Sequence, residues 1–234
     1  MTTDPRARDP GAPAGAEVAG GGAAGRAPRL LLATADQGKL RELRVILTGV
    51  PVELVGLADA GLGEPPQVAE TGATFRENAL LKARAYAQWS GLAAVADDSG
   101  LEVDALGGEP GVRSARYAGP DASDDDNLEK LLRQLEGVAP ERRTARFRCA
   151  AVLVDPALGT WEAEAAWEGR LIETPRGTGG FGYDPVFVPL GWDRTSAEVD
   201  PATKNAASHR GRAFRALRPA IEAWAGARRA SPAR

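Results

Sequence analysis

Leu30-Leu-Leu-Ala33-Thr-Ala-Asp-Gln-Gly-Lys39-Leu-Arg-Glu-Leu43-Arg-Val-Ile-Leu47 joins a short apolar run to a polar turn and then to leucines at 40, 43 and 47. The apolar run reads as a buried strand and the leucines as one stripe of a helix, with Gly49 and Pro51 as its stop. Val52 to Leu57 then reads as a second strand. Further along, Thr74 and Glu77 form a capping box for a helix reaching about Trp89. Leu92 to Ala96 is a short buried strand ending at Asp97-Asp98-Ser99-Gly100. Ser123 and Asp126 cap another helix, which ends at Gly137. Arg146 to Val154 and Thr160 to Trp167 read as antiparallel strands around a turn at Pro156 to Gly159. The glycine-rich loop Gly177 to Gly182 leads to a strand at Val186 to Val188. A last helix carries Phe214, Leu217, Ile221 and Trp224, and Pro219 should bend it. Strands and helices mix without strict alternation, which favours an α/β fold built on a mixed sheet over a purely parallel one.

The composition bounds the chemistry. With 234 residues, 43% hydrophobic and 26% charged, the chain can bury a sizeable core. No apolar run approaches the roughly 18 residues of a membrane span, and charges and prolines interrupt the N-terminus where a signal peptide would need an apolar core. A cytoplasmic protein with no membrane partner is expected. The one cysteine, Cys149, lies in an apolar run and reads as a buried structural thiol. A single histidine, His209, leaves too few nitrogen and sulfur ligands for a tetrahedral zinc site. Carboxylates are plentiful, so a bound metal should be a hard cation such as Mg²⁺. The net charge of −3 includes a neutral stretch at 1–28 and three arginines in 227–234, which leaves about −6 for the body. An acidic body is a poor match for nucleic acid. Residues 1–28, rich in Ala, Gly and Pro, read as a disordered tail, 227–234 as a short basic tail, and 29–226 as one compact unit.

Several segments could carry chemistry. Gly38 lets the backbone approach a ligand at a helix N-terminus, and Lys39 adds a cation; together they suit a polyphosphate. The pattern is not a Walker loop, and an ordinary strand-to-helix turn explains it as well. Asp97-Asp98 after a buried strand could hold Mg²⁺ or polarise a water, or could form an Asx-type turn. Glu70 is a second carboxylate or a solvated loop acid. Asn78 and Lys82, four apart, share a helix face that matters only if it looks toward the carboxylates. Thr178-Gly-Gly-Phe-Gly-Tyr-Asp-Pro185 sets two aromatics among glycines, where a base could stack while backbone amides read its edge. Ser208-His-Arg-Gly211 adds donors near a helix start, although a lone histidine is commonly structural.

The order of these segments is more telling than any one of them. Thr34-x-x-x-Gly-Lys39, Glu70-Thr-Gly-x-Thr-Phe-x-Glu-Asn-Ala79, Lys82-Ala-Arg84, Ala96-Asp-Asp-Ser-Gly100, Gly107-Gly-x-Pro-Gly111, Ser114-Ala-Arg-Tyr117, Gly179-Gly-Phe-Gly-Tyr-Asp-Pro185 and Ser208-His-Arg-Gly211 resemble the Ham1, or inosine triphosphate pyrophosphatase, family. The resemblance covers roughly 29–225. It implies an elongated mixed sheet flanked by helices, in two lobes with the active site in the cleft, and a homodimer. It implies Mg²⁺-dependent hydrolysis of dITP, ITP and XTP to the monophosphate and pyrophosphate, with one Mg²⁺ per subunit. Carried over position by position, the triphosphate would meet Thr34, Ala35, Asp36, Gln37, Gly38, Lys39 and Lys82. Asp98 would be metal ligand and general base, Glu70 a second metal ligand and Asp97 their support. Ser99 would contact substrate, while Phe181, Gly182, Tyr183, Asp184, Lys204, His209 and Arg210 would form the base pocket. Asp36 departs from the family's usual Asn and places a carboxylate in a phosphate loop; it either points away, coordinates or supports the metal, or reduces affinity, and the metal-directed role is the one expected. A pyrimidine-directed pyrophosphatase of Maf type and a non-catalytic nucleotide-binding module are the alternatives.

Overall fold

Three consecutive leucines build the first strand, β1 (Arg29–Leu32), and all three are fully buried. Successive strand residues point to opposite faces. Leu30 and Leu32 therefore join one core, and Leu31 joins another on the far side of the sheet. The computed structural model describes residues 26–230. Around β1 it arranges six strands in the order β2-β1-β3-β4-β5-β6. Strands β2 (Glu53–Gly56) and β3 (Ala93–Val103) run parallel to β1, whereas β4 (Thr144–Asp155), β5 (Gly159–Leu171) and β6 (Phe187–Pro189) are added antiparallel. The sheet is mixed, as expected.

Helix α1 (Gln37–Ile46) and the long α5 (His209–Ala230) cover one face, packing Leu43, Leu47, Phe214, Leu217, Ile221 and Trp224 on the even side of β1. Helix α2 (Phe75–Ser90) covers the other with Phe75, Ala79, Ala83, Tyr86 and Ala87. Strands β3 to β5 are 11 to 13 residues long against 4 in β1 and β2. Their far halves carry a third core, where Leu101, Val103, Phe147, Trp167 and Phe187 meet Leu128 and Leu131 of α3 (Asp124–Gln134). The long strands thus carry a second lobe beyond the short ones, with a cleft where β1 stops.

Local expectations hold in part. Ser123 and Asp126 form a complete capping box on α3, and Thr74 caps α2 through the Glu77 N–H. The Glu77 carboxylate instead takes the Ala73 N–H at 2.7 Å, so the second capping box is not closed. A short helix α4 (Pro201–Ala207), capped by Asp200, precedes α5. Helix α5 runs through Pro219 to Ala230, so the expected basic tail at 227–234 begins inside it. The cause is Asp155, at the end of β4, whose buried carboxylate accepts from Arg228 Nε and Nη2 and from Trp224 Nε1, each at 2.6 Å. Of the expected N-terminal tail, 1–25 lie outside the described residues. Among the described residues, no helix is long and apolar enough to cross a membrane.

Candidate active site

The pairing of β1 with β3 ends at Leu32 opposite Val95, yet β3 continues to Val103 along β4. Asp97 and Asp98, opposite Ala151 and Ala150, are thus paired on one side and open on the other. The expectation that the Asp-Asp-Ser-Gly segment ends its strand is corrected: it lies mid-strand, held by β4, and the Asx-turn reading falls with it. The notch beside it is filled by the loop after β1 and by the N-terminus of α1. This is a carboxyl-end crevice of the kind where α/β sheets bind ligands.

Strand alternation sends the two aspartates to opposite faces, into opposite environments. On the α2 face, Asp98 accepts from Lys82 Nζ at 2.9 Å and Asn78 Nδ2 at 3.2 Å. Lys82 also bonds Glu70 Oε1 at 2.8 Å, and Arg116 reaches Glu70 Oε2 and its carbonyl oxygen at 3.3 Å each. The shared face of Asn78 and Lys82 does look toward the carboxylates. Burial pushes the Asp98 carboxyl up; Lys82 pulls it back only in part and the Glu70 charge adds to the rise, leaving it above the usual range. Burial also raises Glu70, but there Lys82, with Lys39 and Arg116, prevails and holds it low. Burial lowers Lys82, yet Asp98, Asp97 and Glu70 more than compensate and keep it charged. Two carboxyl groups driven apart in this way can divide the work, the more basic one taking a proton from water.

On the α5 face, Asp97 is buried and its Oδ2 accepts from Arg210 Nε at 3.2 Å and Ser99 Oγ at 3.3 Å, with Lys39 Nζ 3.9 Å away. Burial pushes Asp97 up, but Lys39, Arg210 and Lys82 outweigh it and hold the carboxyl well below the usual carboxylate range. Arg210 also bonds Ser99 Oγ and Glu42, and Glu42 pairs in turn with Lys204. The guanidinium expected in the base pocket is thereby committed to holding α1, β3 and α5 together. Cys149 lies beneath, its thiol pushed well up by burial and by Asp97, an inert structural position.

Beside this group opens a cavity of about 130 Å³ whose lining includes Lys39, Ser99, Phe181, Tyr183, Lys204 and His209. Lys204 Nζ lies 4.7 Å from the centre of the Phe181 ring and bonds Asp184 at 2.6 Å. His209 stacks on Phe147 with ring centres 4.8 Å apart, and its buried Nδ1 has no partner among the described residues. Burial, with the charges of Arg210 and Lys204, holds this imidazole neutral, well below its ordinary pKa. One expectation needs correction here. The Phe181 N–H is taken by Asp184 Oδ2 and the Gly182 N–H by Asp124 Oδ2 of α3, each at 2.9 Å, so these two amides are not free to read a base. Tyr183 donates its hydroxyl to the Ser114 carbonyl oxygen at 2.8 Å, tying this loop to the Gly111–Arg116 turn.

The phosphate loop also differs in detail. Asp36 is the N-cap of α1, its Oδ1 accepting the Lys39 N–H at 2.9 Å. The expected metal-directed role is therefore corrected: the carboxylate serves the helix, as an Asn would, since both are strong N-caps. Thr34 Oγ1 accepts the Asp36 N–H. Thr34, Ala35 and Gln37 line a separate cleft with Arg44, Leu57 and Pro65, while Asp36 and Lys39 face the cavity. Gly38 packs closely, since a Cβ there would lie 3.1 Å from Asp36 Oδ1 and 3.4 Å from Phe181, so a larger residue would press on both side chains.

The site residues thus fall into a carboxylate group (Glu70, Lys82, Asp98) and a cavity group (Phe181, Gly182, Tyr183, Asp184, Lys204, His209, Arg210), with Lys39 and Asp97 between them. Among the described residues, no three Asp, Glu, His or Cys side chains converge as a preformed metal cage. Two carboxylates whose remaining partners come from bound phosphate are a normal Mg²⁺ donor set, so Glu70 and Asp98 fit such an ion. Sequence reasoning missed Glu42, Asp124 and the contact of Arg116. Glu42 lies 168 residues from Arg210, and nothing local marks such a pair.

Comparisons with known proteins place the chain in a family. The sequence profile of the Ham1 family matches residues 30–220. The chain is 52% identical over 200 residues to the dITP/XTP pyrophosphatase of Methylococcus capsulatus, covering 85% of this chain and 98% of that protein. Against the dITP/XTP pyrophosphatase of Streptomyces coelicolor it is 54% identical over 195 residues, covering 82% and 96%. A HAM1 protein from Coxiella burnetii superposes with a TM-score of 0.74 at 40% identity, covering 83% of this chain and 98% of that one.

Proposed function

The chain belongs to the Ham1 family, and we propose that it hydrolyses non-standard purine nucleoside triphosphates (dITP, ITP and XTP) to the monophosphate and pyrophosphate. The observation that carries this reading is the row Asp98–Lys82–Glu70 reached through Lys39 from an aromatic cavity, an arrangement that suits a long, anionic ligand with a flat end. The base enters the cavity against Phe181. The triphosphate passes Lys39, the α1 N-terminus and Lys82. Asp98 takes the proton of a water that attacks the α-phosphorus, and the bond from the α-phosphorus to the bridging oxygen of the β-phosphate breaks. Glu70 and Asp98 would hold the Mg²⁺; when bound, such an ion neutralises phosphate charge and polarises the reacting oxygens.

Selectivity for a 6-oxo purine follows from donors in the slot. Lys204 lines the slot and carries donors only, which suit the 6-oxygen and not the amine of adenine; guanine shares that oxygen, so this contact separates adenine from the 6-oxo purines and does not by itself reject guanine. The same reading includes a cytoplasmic homodimer that binds neither nucleic acid nor membrane.

The test is turnover of dITP, XTP, dGTP, dATP, dUTP and dTTP with Mg²⁺, for wild type and Asp98→Asn. We expect dITP and XTP to exceed dATP, dUTP and dTTP by orders of magnitude, and the variant to lose roughly 10²-fold or more with its fold intact. A preference for pyrimidines would favour the Maf-type alternative. Binding without turnover would favour a sensor, and near wild-type rates in Asp98→Asn would remove Asp98 from the chemistry.

A further inference from the structure

The Ser114-Ala-Arg-Tyr117 segment has no role in the reading above, yet it brings a cation to the row of site carboxylates. Arg116 closes the turn Gly111–Arg116. The backbone of that turn is pinned from three sides. Ser114 Oγ accepts the Leu101 N–H of β3 at 2.9 Å and donates to the Gly111 carbonyl at 2.7 Å. The Ser114 carbonyl takes the Tyr183 hydroxyl, and the Ala115 carbonyl takes Asn127 Nδ2 of α3 at 3.2 Å. The close fit extends to Gly100, where a Cβ would come within 2.4 Å of Ser114 Oγ.

The head of Arg116 is held quite differently. Its two bonds to Glu70 are both 3.3 Å, at the weak end for charge-assisted contacts, and its side chain is 36% exposed. Lys82, by contrast, grips the other oxygen of Glu70 at 2.8 Å. A rigid base with a loosely held, forked cation is an arm that can change partners at small cost. Guanidinium groups match phosphate oxygens in a bidentate fork, and two of the five N–H donors of Arg116 are engaged among the described residues. Resting on the reading that the α-phosphate lies at Asp98, the β- and γ-phosphates continue along the row toward Glu70.

We propose that Arg116 is the cation that receives the leaving pyrophosphate, resting on Glu70 until the nucleotide arrives. When the α–β P–O bond breaks, its electron pair stays on the bridging oxygen of the pyrophosphate, and the fixed positive charge of Arg116 is placed where that negative charge grows.

The competing account is that Arg116 acts only through Glu70, by orienting it. A double-mutant cycle separates the two. Pyrophosphate affinity is measured by calorimetry without added metal for wild type, Arg116→Gln, Glu70→Gln and the double variant. Direct contact predicts that Arg116→Gln weakens pyrophosphate binding about tenfold in both backgrounds, because a charged phosphate contact is worth on the order of 1.4 kcal/mol or more. It also predicts a kcat on dITP lowered tenfold or more, partly restored in Arg116→Lys, with a smaller change in KM. Loss of the effect in the Glu70→Gln background overturns the proposal, as does unchanged pyrophosphate affinity in Arg116→Gln. Arg116→Lys keeps the charge should Arg116→Gln fail to fold. Wild-type protein that binds pyrophosphate through Arg116 but leaves dITP intact would instead sink the function proposed above.

Discussion

At the scale of single residues, His209 illustrates how burial fixes chemistry. Its imidazole is stacked on Phe147, flanked by the cations Arg210 and Lys204, and held neutral by burial and by their charges. The sign of its pH effect follows. In the unfolded chain the group takes a proton near pH 6.5, whereas in the folded protein it does not. The unfolded state therefore binds more protons as pH falls below about 6.5, and folding stability declines with acidification over that window. Because this is the one histidine of the chain, chemical denaturation at several pH values between about 5 and 7.5 should give a slope that His209→Gln abolishes. An unchanged slope in the variant would show that the imidazole takes its proton in the fold as readily as in the unfolded chain, against the burial argued here. Asp97 and Asp98 make a related point about legibility. The sequence marks both as carboxylates beside a strand, but their opposite environments depend on β1 ending where β3 does not. No spacing within the segment carries that information.

At the scale of elements, the ends of strands and helices depart furthest from what spacing suggests. The caps Thr74 and Ser123 were legible because such a side chain acts within a few residues, whereas Asp36 and Asp200 were not read as caps. The C-terminal boundary was not legible, because Asp155 and Arg228 stand 73 residues apart and meet only after β4 and α5 pack. Arginine-rich residues after Gly226 look like a solvated tail until that carboxylate is placed beneath them. Asp155 also takes the N–H groups of Ala157 and Leu158 at the β4–β5 turn, so one side chain fastens two elements. Asp155→Ala leaves Trp224 Nε1 and Arg228 without their acceptor and should cost roughly 3 kcal/mol. For a chain of this size that is a Tm drop of roughly 6–12 °C, readable by thermal melting. Truncation after Gly226 should lower Tm in the same direction, since it removes Arg228. A loss below about 2 °C in both variants would mean that the clamp contributes little. Activity per folded molecule should be unaffected, because Asp155 stands at the opposite end of β4 from the second lobe.

At the scale of the whole molecule, two short parallel strands beside three long antiparallel ones leave a notch, and every part of the candidate site borders it. Lys39 and Arg210 come from the helices on one face, Lys82 from the helix on the other, and the aromatic loop from the second lobe. The mixed sheet was legible in the irregular alternation of strands and helices. The long reach across the cleft, from Glu42 to Lys204 and from Asp124 to Gly182, was not, since such contacts follow from topology alone. The account's central claim is that a nucleotide lies with its base in the cavity and its α-phosphate beside Asp98. The bond that is broken tests this most directly. Hydrolysis of dITP in ¹⁸O-labelled water, followed by mass spectrometry of the products, should give pyrophosphate without label and dIMP carrying one ¹⁸O. Release of orthophosphate with dIDP, or label in the pyrophosphate, would contradict it.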